Sequence, residues 1–304
     1  MDLDADGHDD VITGSYWPGN IFWFRGEGKG VFAAGQKLVD TEGNDLHAGK
    51  PWVSDDEPDM ASLAAVPCMF DWDGDGDLDL LVGNIAGGIT RIENVGSKTK
   101  PVFSKERTPV DAGGSQLRVS GDAGPVAVDW DGDGLLDLVV GSDDGEVVFC
   151  RNVGKAGAPE FAKPVALLPK SKQGWDDIPV GGEPKGYGVR AKVHVADWNG
   201  DGQLDILVGD YVQQAQPAPQ LTAEQEKRRD QLRTERDELS QKMSEAYERV
   251  RKNKGDANAE AARDELSKRY GKVWEDLRPL EPQNDSHGFV WVFLRKTAAT
   301  PGGN

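Results

Sequence analysis

Residues 129–141 read Asp129-Trp130-Asp131-Gly132-Asp133-Gly134-Leu135-Leu136-Asp137-Leu138-Val139-Val140-Gly141. Three other stretches follow the same template, D-x-[DN]-x-D-G-x-x-D: Asp2 to Asp10, Asp71 to Asp79, and Asp197 to Asp205, where Asn199 takes the third place. Their starts are 69, 58 and 68 residues apart, a period that suits a supersecondary unit of about four short strands. Four residues after each last aspartate comes a glycine (Gly14, Gly83, Gly141, Gly209), and the intervening triplets are apolar, partly β-branched and too short for helices. They read as buried strands. A second glycine, at Gly19, Gly88, Gly145 and Gly288, opens a further apolar run, and Val66 to Phe70, Val126 to Val128 and Val193 to Ala196 precede the last three motifs. Each unit therefore reads strand, acidic loop, strand, turn, strand, with a weaker outer strand such as Glu160 to Leu168; this is the order of a propeller blade.

Three or four carboxylates within nine residues repel one another by roughly 3 kcal/mol per pair about 5 Å apart, so a counter-charge is required. Positions one, three and five place oxygens on one side of a tight turn, glycine at position six permits the bend, position seven offers its carbonyl, and position nine closes the cage. All-oxygen ligation of this kind favours Ca²⁺ over Mg²⁺. The expected ligands are Asp2, Asp4, Asp6 and Asp10; Asp71, Asp73, Asp75 and Asp79; Asp129, Asp131, Asp133 and Asp137; and Asp197, Asn199, Asp201 and Asp205. The carbonyls of His8, Asp77, Leu135 and Gln203 complete up to four structural Ca²⁺ sites, the fourth weakest because Asn199 is neutral. An EF-hand is excluded, since the twelfth positions are Thr13, Val82, Val140 and Val208 in strands rather than a bidentate glutamate before a helix.

These motifs resemble the FG-GAP/VCBS repeat of integrin α-subunit propellers and many secreted bacterial proteins. The resemblance implies an all-β propeller with a Ca²⁺ ion between the first two strands of each blade, usually extracellular and used for adhesion or ligand binding. Integrin propellers have seven blades and four motifs are visible here, so the chain is expected to form blades over 1–210 as part of a larger propeller. The first unit starts at its loop without the preceding strand, and residues 296–304 are too polar and glycine-rich to supply it. No signal peptide opens the chain; the expectation is a longer precursor whose upstream part held one, and an extracellular or periplasmic location.

In the first three units the paired glycines lie four or five residues apart, but Gly209 and Gly288 are 79 apart. Residues 211–285 are thus an insertion, with 286–304 as return strand and tail. Thr222 and Gln225 form a capping-box signature. Apolar residues at Leu232, Leu239, Met243, Ala246 and Val250 and, after Gly255-Asp256, at Ala259, Ala262, Leu266, Tyr270, Val273 and Leu277 have helical spacing. An antiparallel helical hairpin is predicted. Residues 222–278 carry 14 acidic and 15 basic side chains, so of the chain's net charge of −18 the remainder carries about −19.

That acidity argues against a nucleic-acid partner, and no apolar run is long enough to span a membrane. Only two cysteines, Cys68 and Cys150, are present; a disulfide scaffold and a Cys-ligated zinc site are excluded, and two buried free thiols are expected. Trp72, Trp130 and Trp198, at the second loop position, are expected to pack between blades, whereas Trp17, Trp52 and Trp175 in polar connections form a possible glycan-stacking surface. His8, His47, His194 and His287 share no metal spacing, and neither a Gly-x-Ser-x-Gly elbow nor a phosphate loop appears. The expectation is a non-enzymatic binding module for a protein or glycan. The alternatives are a propeller enzyme acting on polysaccharide and a purely structural module.

Overall fold

The computed structural model describes residues 1–49, 59–253 and 255–296. The chain divides into two units. One comprises Met1–Asp176, Pro184–Val212 and Gly288–Asn304; the other comprises Asp177–Glu183 and Gln213–His287.

The first unit is a series of antiparallel sheets. Strands β1 (Val11–Gly14), β2 (Ile21–Phe24) and β3 (Gln36–Lys37) form sheet one. Strands β4 (Val66–Phe70), β5 (Asp79–Gly83), β6 (Ile89–Ile92) and β7 (Thr108–Pro109) form sheet two, and a small hairpin of β8 (Asp111–Ala112) and β9 (Ser115–Gln116) follows. Sheet three contains β10 (Gly124–Val128), β11 (Asp137–Gly141), β12 (Val147–Cys150) and β13 (Val165–Leu168). Sheet four is built on β14 (Val189–Ala196) and β15 (Asp205–Ala215), with β17 (Val290–Phe293) pairing with β15; β16 (Asn284–His287), which also pairs with β15, belongs to the second unit, as do the last three residues of β15. Three of the four sheets are thus four-stranded and blade-like. In sheet one, β1 occupies the edge that β4, β10 and β14 cover in the others.

The acidic loops connect β4 to β5, β10 to β11 and β14 to β15; β5 and β11 are buried on both faces, whereas in β15 Leu207 is only partly buried. Leu80 and Val82 of β5 enter one core with Ile21, Leu46 and Phe103, while Leu81 enters a second core with Leu138, Val140 and Phe161. Val139 points into a third, with Ile206 and Val208. Successive side chains of one strand therefore serve the sheets on either side, which is why these triplets are continuously apolar rather than alternating.

The glycine ending each triplet has a packing role. A Cβ on Gly14 would lie 1.9 Å from the carbonyl oxygen of Ala65, one on Gly83 2.0 Å from that of Ala123, and one on Gly141 2.3 Å from that of Ala191. In each case the oxygen belongs to the start of the next sheet, so only glycine lets neighbouring backbones approach this closely. Gly209 is different: its nearest neighbour would be the Lys192 carbonyl oxygen of its own sheet, at 3.7 Å.

The second unit contains the predicted helical hairpin, α1 (Ala223–Lys252) and α2 (Ala257–Leu277). Thr222 caps α1 through a reciprocal capping box with Gln225, and Asp256 caps α2 by accepting from the N–H groups of Asn258 and Ala259. Leu232 and Leu239 of α1 pack on Val273 and Leu277 of α2, with Leu266, Tyr270 and Leu280 beside them. Ala262, expected in this seam, is exposed. The insertion also begins and ends as strand: β15 continues to Ala215, and β16 follows the hairpin. Residues 177–183, which carry no sign of this in sequence, join the unit through Ile178, whose N–H donates to Gln213 and whose carbonyl accepts from Ala215.

Candidate metal loops

The four acidic loops share one backbone path. Position six is left-handed in each, at Gly7, Gly76, Gly134 and Gly202 (φ +91, +93, +89 and +83°). Position four is left-handed too, at Gly74, Gly132 and Gly200, and in the first loop at Ala5 with φ +53°. The position-one carboxylate stabilises this double bend by accepting the N–H of position six: Asp2 from Gly7 (2.9 Å), Asp71 from Gly76 (3.1 Å), Asp129 from Gly134 (3.0 Å) and Asp197 from Gly202 (2.9 Å). The position-five carboxylate accepts the N–H of position seven, at His8, Asp77, Leu135 and Gln203 (2.8–3.0 Å).

Position nine has a second structural task. Asp10, Asp79, Asp137 and Asp205 are buried, and each accepts a main-chain N–H from beyond the second strand of its hairpin: Gly26, Asn94, Asn152 and Arg295, at 2.7–2.8 Å. Asp10, Asp137 and Asp205 also accept the position-two N–H of Leu3, Trp130 and Trp198.

Carboxylate oxygens converge to within 4.8 Å of one another in three groups: Asp2, Asp4 and Asp6; Asp71, Asp73 and Asp75; Asp129, Asp131 and Asp137. Asp10, Asp79 and Asp133 stand outside these groups, and among the described residues the fourth loop forms no three-acid group. There Asn199 donates to Asp201 at 3.0 Å. The donor set is hard and anionic, and Oδ1 of Asp4 is buried without a hydrogen-bond partner among the described residues, which fits a cation. Electrostatics point the same way. Burial, then the charges of Asp75, Asp79, Asp73 and Asp71, pushes Asp77 up to about 6. Burial also raises Asp79 and Asp137 despite the N–H groups they accept. Negative charge in these loops is held at a cost that a divalent cation relieves.

Arginines absent from the sequence reading also face the loops. Arg25 bonds Asp4 (2.5 Å) and Asp6 (2.9 Å), Arg151 bonds Asp131 (2.6 Å) and Asp133 (3.1 Å), and Arg91 bonds Asp73 (3.1 Å) and Asp79 (3.3 Å). Their one sequence signal is position: Arg25 and Arg151 stand immediately before the residue whose N–H holds the position-nine carboxylate.

The tryptophans divide. Trp130 is buried beside Phe149, and Trp72 lies against Phe70 and Phe161. Trp198 is 61% exposed, so the expected packing role does not hold for it; its sheet has no further sheet beyond it among the described residues. Trp17 (51%) and Trp175 (55%) are exposed, Trp175 with Arg190 and Tyr211 beside its ring, and Trp52 lies outside the described residues. Cys68 and Cys150 are both free; burial pushes the Cys150 thiol up to about 12.

The FG-GAP-like repeat profile matches residues 2–82, 71–140 and 129–208, each match running from one acidic loop through the next and its following strand. The chain belongs to the FG-GAP-like repeat family. No curated protein matches it. No helix among the described residues is long and apolar enough to cross a membrane.

Proposed function

We propose that the chain is a calcium-stabilised β-propeller module that binds a protein or glycan outside the cytoplasm, in an extracellular or periplasmic space, and that it is not an enzyme. The observation that carries this reading is the convergence of three carboxylates in each of three loops, one of them with a buried, unpartnered oxygen. The same three loops would hold Ca²⁺ by positions one, three and five or nine. When bound, the ion supplies positive charge that fixes the hairpins. Extracellular sites of this chemistry bind at about 10⁻⁴ to 10⁻³ M, matched to external rather than cytosolic calcium. The successive face-to-face packing of blade-like sheets supports a propeller, and the ligand role is supported by a recess of about 340 Å³ lined by Trp72, Arg91, Asp111, Glu160 and Phe161. Titration calorimetry with CaCl₂ should give heat of binding and a higher melting temperature than EDTA; no heat and identical melts would overturn the calcium reading. A glycan array probed with and without chelator tests the ligand class, and silence in both arms would remove the glycan arm in favour of a protein partner.

A further inference from the structure

We propose that Arg25 and Arg151 are built-in counter-cations of the first and third loops, which a divalent ion displaces from two carboxylates when it binds. The proposal rests on the calcium reading above and concerns how those sites are regulated.

The geometry is the same in both blades. Each arginine follows directly on the second strand of its hairpin, and each spans the carboxylates at positions three and five. Arg25 takes Oδ2 of Asp4 and Oδ2 of Asp6; Arg151 takes Oδ2 of Asp131 and Oδ2 of Asp133. A planar guanidinium offers several donors in fixed directions, so it can hold two carboxylates at once where an ammonium would serve one. The carboxylates it holds are among those a cation would draw on. Asp4 and Asp6 belong to the converged group of loop one, and Asp131 to that of loop three. Asp133 has its other oxygen on the Leu135 N–H, and it is the one position-five acid of the first three loops outside its group.

The other two loops lack this arrangement. In the second, Glu93 stands where the arginine would be, immediately before Asn94. Arg91, two residues earlier, bonds Asp73 and Asp79, and Asp75 has no arginine among the described residues. In the fourth, the Arg295 guanidinium donates to the Trp130 carbonyl at 2.6 Å and lies 4.6 Å from the centre of that indole ring; its main-chain N–H alone serves the loop. In loops one and three a single guanidinium thus offsets part of the negative charge at positions three and five when calcium is scarce, and it gives way to the ion as calcium rises.

The test uses Arg25→Gln and Arg151→Gln in the full chain, with Lys170→Gln as a control that removes one positive charge paired to Asp144 outside the loops. CaCl₂ calorimetry should show about two- to fivefold tighter binding at one site in each arginine variant, the range an exposed ion pair is worth, and unchanged affinity in the control. Melting in EDTA should fall relative to the parent chain, and the gap should narrow in saturating CaCl₂. Unchanged or weaker affinity in both variants would overturn the proposal, since it would make the arginines supports of the filled loop. Should a glutamine variant fail to fold, Arg151→Lys keeps the charge without the fork and is expected to tighten binding by a smaller factor; weaker binding there overturns the proposal equally. A parent chain that gives no calcium heat removes the loop reading and this proposal together, whereas a calcium-binding parent with untightened variants removes this proposal alone.

Discussion

Asp205 accepts the main-chain N–H of Arg295 at 2.8 Å across 90 positions of sequence. In the other three hairpins the equivalent bond spans 15 or 16 positions, from Gly26 to Asp10, Asn94 to Asp79 and Asn152 to Asp137. The long insertion leaves the bond in place, so position nine joins loop to strand whether or not the two are close in the chain.

This separates two kinds of aspartate. Asp137 is 0% exposed and accepts from both Trp130 and Asn152. Asp137→Ala leaves two buried donors unpaired and is expected to cost about 2–5 kcal/mol in urea unfolding, in EDTA as well as in calcium. A loss seen only in calcium would show that the carboxylate acts through metal alone.

Asp75→Asn is the complementary case. Its carboxamide oxygen still accepts the Asp77 N–H, and the wild-type carboxylate has no arginine contact among the described residues. In EDTA the melting temperature should move by less than the equivalent of about 0.5 kcal/mol. In CaCl₂ it should fall, because one anionic ligand is gone. Equal shifts in both media would contradict metal ligation.

Gly141→Ala and Gly209→Ala make the same chemical change at equivalent positions with opposite expectations. The first drives a methyl to 2.3 Å from the Ala191 carbonyl oxygen and should cost about 1–3 kcal/mol or more; the second meets ordinary contact distance and should be nearly silent. Thermal unfolding of the pair decides it, and similar losses would mean that the glycines serve β15 and β11 for some reason other than packing on the next sheet.

In the hairpin, Leu239→Ala opens a cavity opposite Val273 and Leu277 and is expected to cost about 2–5 kcal/mol, while Thr222→Ala loses the cap alone, about 1 kcal/mol. Helical circular dichroism during heating should rank the two in that order. The reverse order would mean that the seam contributes less than its burial suggests.

Acid stability carries a sign that can be checked at Asp144. Burial pushes its carboxyl up, but Lys170, Ser142, the Glu146 N–H and Ser120 together outweigh burial and hold it at about 2. A carboxyl depressed on folding contributes stability above its unfolded value near 3.9 and loses it as pH falls toward 2. Lys170→Gln should flatten the fall in stability across that window, as read from urea midpoints at successive pH values. An unchanged slope would remove Lys170 as a cause.

Much of this was legible in sequence because it is local. The loops, the apolar triplets and the Thr222–Gln225 capping box depend on spacings of a few residues, and the strands and helices begin and end close to where those spacings place them. The recurrence of Gly74, Gly132 and Gly200 at position four was equally visible, and its meaning is a second left-handed residue. What sequence did not reveal is long-range. Nothing near Ile178 announces its bonds to Gln213 and Ala215, and the two-residue strands β3 and β7 are too short to carry a period. Trp198 has the same local context as Trp130, and only the presence of a neighbouring sheet distinguishes their burial. The arginines escaped for the same reason: their partners are fixed by hairpin register, not by spacing within a motif.

The detour between Gly209 and Gly288 also bears on the order of assembly. Closing a flexible loop of 79 residues instead of five is entropically dearer by about 2.4 kcal/mol on polymer scaling. The first three sheets form from neighbours in sequence, whereas β17 waits for a distant segment to return, so the last sheet should be the slow step in folding. A helical hairpin that collapses early shortens the effective tether and would speed that return, which gives the insertion a kinetic role even where it contributes no contact to the strands it separates.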